Sequence, residues 1–118
     1  MDLTTSLRDL LSTALRAAMK ARDKEAVSAL RSALARIANA EAVPIDTMPA
    51  AGAIGEGPVG HGSADAPRRE LDESEIRALV EAEVTEHEQA ADLLAASGQV
   101  AVAEGLRAQA AVLRAHLG

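Results

Sequence analysis

Glu83 and His87 come nearest, by type and spacing, to a pair that could do chemistry. Four residues apart on a helix, they share one face, and Glu86 and Glu88 stand beside them. A carboxylate and an imidazole so placed suit metal ligation or proton transfer. Two ligands do not close a metal site, and no His-Glu-x-x-His motif supplies a third. The competing reading is a polar pair between helices. His61 lies among glycines and reads as loop, and His116 near a helix C-terminus suits the negative end of the dipole. Gly55-Glu56-Gly57-Pro58-Val59-Gly60 lacks the Gly-Lys-Ser/Thr ending of a phosphate loop and follows no strand. The chain has no Cys, which removes thiolate chemistry and Cys-bound zinc. No serine sits in a nucleophile elbow or beside a His and an acid with triad logic. The residues taken alone give no enzyme site, and neither a metal nor a cofactor is expected.

Charge recognition is the second chemistry on offer. Lys20, Arg22, Lys24 and Arg31 gather around a short break between helices and suit a phosphate or an acidic partner. The competing reading is a helix C-terminus carrying favourable charge. The chain has no Phe, Tyr or Trp, so the stacking platforms used on single-stranded nucleic acid are absent. Arg31, Asn39 and Glu41 are the other binding candidates. Arg31 stands one residue beyond an apolar stripe, so it is expected to flank the core and to need a carboxylate. Glu41 or a glutamate of the third helix would supply one, which makes an inter-helix salt bridge the competing reading.

These residues must be held by helices. Leu3, Leu7, Leu10, Leu11, Ala14, Leu15, Ala18 and Met19 recur at three- and four-residue steps, which predicts an amphipathic helix over 3–21. Asp2, Thr4 or Thr5 would cap it. Asp23 opens a second helix over 24–42, with Val27, Leu30, Leu34, Ile37 and Ala38 as its stripe. The short break predicts a hairpin. Residues 43–70 hold all four prolines and five of the eight glycines without periodicity, and read as a flexible linker. A third helix is expected over 72–96, capped by Asp72 or Ser74, with Ile76, Leu79, Val80, Val84, Ala91 and Leu94 inward. Ser97-Gly98 stops it, Gly98 being suited to the left-handed position. A fourth helix over 99–116 turns Val100, Ala103, Leu106, Ala110, Leu113 and Leu117 to one side and carries Gly105 in its interior, at a cost of about 1 kcal/mol against Ala.

The expectation is an all-α single domain over 1–118: two helical hairpins, 1–42 and 71–118, joined by the 43–70 linker. At 118 residues and 48% hydrophobic composition the chain is long and apolar enough for one core, built from Leu, Val, Ile, Met and Ala alone. The net charge of −6 is unevenly spread. Residues 1–42 hold 7 basic and 5 acidic groups, and residues 71–118 hold 3 and 9. The first hairpin therefore suits an acidic partner and the second repels one. No signal peptide, no membrane span and a cytoplasmic location are expected. Apolar faces left over by two hairpins suit a protein partner or self-association.

Several short motifs resemble a known family. Met19-Lys20-Ala21-Arg22-Asp23-Lys24, Leu30-Arg31 and Ile37-Ala38-Asn39-Ala40-Glu41 are similar to the opening hairpin of YqeY-like proteins. Leu71-Asp72-Glu73-Ser74-Glu75-Ile76 resembles that family's third-helix start, and Ala95-Ala96-Ser97-Gly98 with Leu113 and Leu117 its second hairpin. The likeness spans everything outside 43–70. It implies an all-helical fold and kinship with the tail of the GatB subunit of the glutamine-dependent transfer-RNA amidotransferase. It further implies carbon–nitrogen ligase activity with glutamine as amido-N-donor, or a transfer-RNA-binding accessory role. The chain departs from the pattern at Thr85, Glu86, His87 and Glu88, where relatives carry Lys and Arg, and at Gln109 and Ala111, where they carry Glu. It also ends at Gly118, where relatives continue into a second helical domain. These departures and the acidic second hairpin count against direct RNA contact. The expectation is a non-catalytic helical interaction domain, associated with transfer-RNA amidation machinery.

Overall fold

The structure, a computed structural model, describes residues 6–42 and 70–118. It is all-helical over these residues. Four helices run in chain order: α1 (Leu7–Ala21), α2 (Lys24–Ala42), α3 (Glu73–Ala96) and α4 (Val100–Leu117). α1 pairs with α2, and α3 with α4, as two hairpins. Residues 1–5 and the expected linker, apart from Glu70, fall outside the described residues, as does His61.

Each helix starts where a side chain can replace a missing backbone partner. Ser6, rather than an earlier residue, caps α1: its hydroxyl accepts from the Asp9 amide at 3.1 Å. The Leu7 amide, still short of an acceptor, donates to Glu73 Oε2 at 2.6 Å, so the acidic start of α3 completes the start of α1. Asp23 caps α2 as expected, accepting from the Ala26 amide at 3.2 Å. Asp72 and Glu75 form a reciprocal capping box on α3, with bonds of 2.8 and 2.9 Å. α4 begins at Gln99 without a side-chain cap.

The core joins all four helices around Leu7, Leu11, Leu30, Ile37, Ile76, Val80, Val84 and Leu113. Leu11, Leu30, Ile37, Val80 and Leu113 are the largest fully buried side chains. Truncating such a leucine to Ala costs about 2–5 kcal/mol. α2 packs against each of the other three helices, and its most buried arc is Ala26, Ala29, Leu30, Ala33 and Ile37. Small side chains on that arc let neighbouring backbones approach. Val27 and Leu34 consequently lie at the edge of the core, and Ala38 is exposed. Three other expected stripe members also face out: Leu10 is 42% exposed, Met19 48% and Val100 52%.

Candidate functional site

The pair that looked most like chemistry is built into a polar connection between helices. Glu83 is the one buried charged residue among those described. Arg36 of α2 donates Nη1 to Glu83 Oε1 at 2.8 Å, and the Ser32 hydroxyl, one turn earlier, donates to Oε2. Both carboxylate oxygens are thereby engaged. Arg36 also grips Glu86 through two bonds of 2.9 Å each. The Arg36 guanidinium is raised above its ordinary value, first by the bonds to Glu86 and Glu83, and the Glu86 carboxyl is lowered by Arg36.

His87 continues the connection into α4. Its Nδ1 stands 2.9 Å from the Glu83 backbone carbonyl and its Nε2 3.1 Å from Gln109 Oε1, both acceptors for a ring N–H. The Gln109 amide is held in that sense because its Nε2 donates to Glu25 Oε1 at 2.7 Å. Gly105 makes room for Glu25: a Cβ there would lie 3.1 Å from Glu25 Oε2. The run from Glu86 through Arg36, Glu83, His87 and Gln109 to Glu25 thus ties α2, α3 and α4 together. The inter-helix reading of Glu83 and His87 fits this arrangement. Among the described residues no group of three or more His, Asp or Glu is placed to hold a metal ion.

The remaining candidates separate into two places. Asn39 and Glu41 lie at the far end of α2 from Lys24, about 22 and 26 Å away at 1.5 Å per residue. Asn39 is exposed. Glu41 pairs through both oxygens with Arg8 of α1, which raises the Arg8 guanidinium. Arg31 does not flank the core. It is exposed and meets no carboxylate among the described residues, and the inter-helix bridges expected of it are made by Arg8 and Arg36. Sequence spacing hid Arg36 because its partners lie 47 and 50 residues away. The signal was a matched pair of rows, Ser32 and Arg36 on α2 and Glu83 and Glu86 on α3.

Lys20, Arg22, Lys24 and Arg31 lie on the first hairpin in two separate clefts, Lys20 sharing one with Arg16. Arg22, Lys24 and Arg31 line one shallow cleft with Val27 and Ser28. Arg16 and Lys20 line another with Thr13, Ala17 and Met19. Arg22 ends α1 in the left-handed region, φ 58°, its amide donating to the Ala18 and Met19 carbonyls. A non-glycine residue there is held at a cost of about 1 kcal/mol. The division of cations is sharp. Arg8, Arg36, Arg107 and Arg114 each pair with a carboxylate, and Arg77 donates to the Leu117 carbonyl. Arg16, Lys20, Arg22, Lys24 and Arg31 have no such partner among the described residues. His116 donates Nδ1 to the Val112 carbonyl at 2.9 Å, within its own last turn.

No described helix is long and apolar enough to cross a membrane. Comparison with known proteins adds no relative: no family model, no curated protein and no solved structure matches the chain.

Proposed function

We propose that this protein is a non-catalytic helical interaction domain of YqeY-like type, engaging an acidic partner within transfer-RNA amidation machinery through the turn end of its first hairpin. One observation carries the reading. Arg16, Lys20, Arg22, Lys24 and Arg31 are exposed and lack a carboxylate partner among the described residues, while the chain's other described arginines are engaged. Unneutralised cations on a protein of net charge −6 form a local field of opposite sign, which steers and orients an acidic partner. The Glu83–His87 pair, the best acid–base candidate, has its polar atoms committed to Ser32, Arg36, Gln109 and the α3 backbone. The association with amidation machinery rests on the family resemblance. The test is a native pull-down with the wild type and with a Lys20→Glu/Arg22→Glu/Lys24→Glu/Arg31→Glu variant, its helicity checked by circular dichroism. A partner retained by the wild type and lost by the variant is expected. Equal retention by both would sink the reading.

Transfer-RNA contact is a second reading, favoured by the same five cations. Filter binding against bulk transfer RNA at low salt, where electrostatic attraction is strongest, decides it. Absence of binding there rejects direct RNA contact.

A further inference from the structure

We infer that the cleft of Arg22, Lys24, Val27, Ser28 and Arg31 receives an acidic amphipathic helix of a partner protein, with an aliphatic side chain seated on Val27 between two carboxylates. The inference rests on the proposed interaction role and gives its partner a chemistry.

The geometry of α2 sets the pattern. Lys24, Val27, Ser28 and Arg31 occur at steps of three, four and seven and therefore share one face. Lys24 and Arg31 are two turns apart, about 10 Å along the axis. A partner helix running alongside matches that separation with carboxylates seven residues apart and an aliphatic residue three or four after the first. Val27 is half-buried at the edge of the core, so it offers a fixed apolar floor, and the stems of Lys24 and Arg31 extend it. Arg22, fixed in its left-handed conformation, adds a third cation at the end of the cleft.

Charge complementarity selects an acidic occupant, because none of the three cations meets a carboxylate among the described residues. The apolar floor favours a peptide over a nucleic-acid backbone, which has no aliphatic group to place on Val27, and the chain has no aromatic side chain on which to stack a base. A helix is favoured over an extended segment. The described structure is helical throughout and offers no strand edge to complete the backbone hydrogen bonds of an extended chain. A helix satisfies its own backbone and presents only side chains.

The experiment uses the full chain and a fluorescein-labelled 18-residue Ala-rich helical peptide, carrying Glu at two positions seven apart and Leu four after the first. Anisotropy titration is run against this probe, against a scramble of the same composition, and against bulk transfer RNA. The designed peptide is expected to bind at least tenfold tighter than its scramble. Lys24→Glu/Arg31→Glu should lose at least tenfold, and a peptide with Lys in place of both Glu should recover binding to that variant. The recovery separates a lost contact from a lost fold. Equal binding of design and scramble, loss without recovery, or RNA binding abolished by the same two changes would each overturn the acidic helix as occupant. If those arms fail while the four-site charge reversal still loses a partner in the pull-down, only the occupant falls. If the charge reversal loses nothing, the interaction role at this turn falls with it.

Discussion

The two hairpin turns meet the same backbone demand with opposite residues. Each closes a helix through a left-handed position. Between α1 and α2 that position is Arg22 at φ 58°, and between α3 and α4 it is Gly98 at φ 89°. Glycine takes this conformation without steric penalty, while an arginine there is strained. The surroundings differ in the same direction. The first turn carries five cations without a carboxylate partner among the described residues, and the second is flanked by the exposed aliphatics Leu93, Val100 and Val102. Strain held at one of two equivalent turns points to a task for that turn. Under the proposed interaction role, the second turn serves as a stop and the first as a presented surface.

The sharpest way to break that comparison is to set a cation of the presented surface against one of the interior. Arg36→Met leaves Glu83 buried with the Ser32 hydroxyl and, at 3.8 Å, His87 Nδ1 as its remaining polar neighbours, and breaking such a pair from one side costs about 3 kcal/mol. Arg31→Ala removes an exposed side chain without a described partner, and its cost should stay within about 0.5 kcal/mol. Urea unfolding of the two variants measures both. Comparable destabilisation by the two would mean that Arg31 is structural and that the division between interior and presented cations is wrong.

The turns themselves can be exchanged in kind. Arg22→Gly relieves the left-handed strain and should raise stability by about 1 kcal/mol, while weakening any acidic partner that uses this cation. Gly98→Ala should do the reverse to stability by a similar amount, about 1 kcal/mol. Its new Cβ meets nothing within 4 Å, so the cost is purely conformational. Thermal melts of the pair should shift in opposite directions. A shift of the same sign in both would show that the turns are not equivalent.

The helices and their order were legible because apolar residues recur at three- and four-residue steps and because Asp23, Asp72 and Gly98 mark ends by local chemistry. The depth of each face was less so. Periodicity weights large side chains, yet α2 lies against three helices and turns Ala26, Ala29 and Ala33 deepest, displacing Val27 and Leu34 to the margin. The basic turn was legible as composition. That its cations have no carboxylate partner depends on which carboxylates are already engaged, Asp23 with the Ala26 amide and Glu25 with Gln109, and the second of these is settled by tertiary contacts. Arg31 and Arg36 illustrate the difference: they are similar in the sequence, and only the packing of α3 on α2 decides that Arg36 is the one facing Glu83 and Glu86.

Gly105 looks like a defect in the sequence and like a fitting in the structure. A helix-interior glycine costs about 1 kcal/mol against alanine. Here a Cβ would press on Glu25, whose other carboxylate oxygen accepts from Gln109. Gly105→Ala should therefore gain less than about 1 kcal/mol in the wild type and the full amount, about 1 kcal/mol, in a Glu25→Ala background. A double-mutant cycle by chemical denaturation reads the difference directly. Equal gains in both backgrounds would remove the proposed reason for the glycine and would leave the link from α2 to α4 resting on Gln109 alone.

The smallest effect concerns pH and again contrasts a paired group with unpaired ones. Arg36 holds the Glu86 carboxyl below its ordinary value. A carboxyl depressed in the folded state binds its proton more readily when unfolded. Its contribution is therefore complete above the ordinary carboxylate range and is lost as pH falls through the depressed value. Glu86→Gln should flatten that part of the acid limb of stability while leaving neutral-pH stability nearly unchanged, because Glu86 is exposed and its pairing is screened by solvent. A first turn neutralised as Lys20→Gln/Arg22→Gln/Lys24→Gln/Arg31→Gln should keep the wild-type acid limb, since the cations it removes touch no carboxylate of the described structure. Urea midpoints collected from pH 7 down to about pH 2.5 compare the three. An unchanged acid limb in Glu86→Gln would mean that the outer half of the Arg36 clasp contributes nothing in solution and that Glu83 alone holds Arg36 in place.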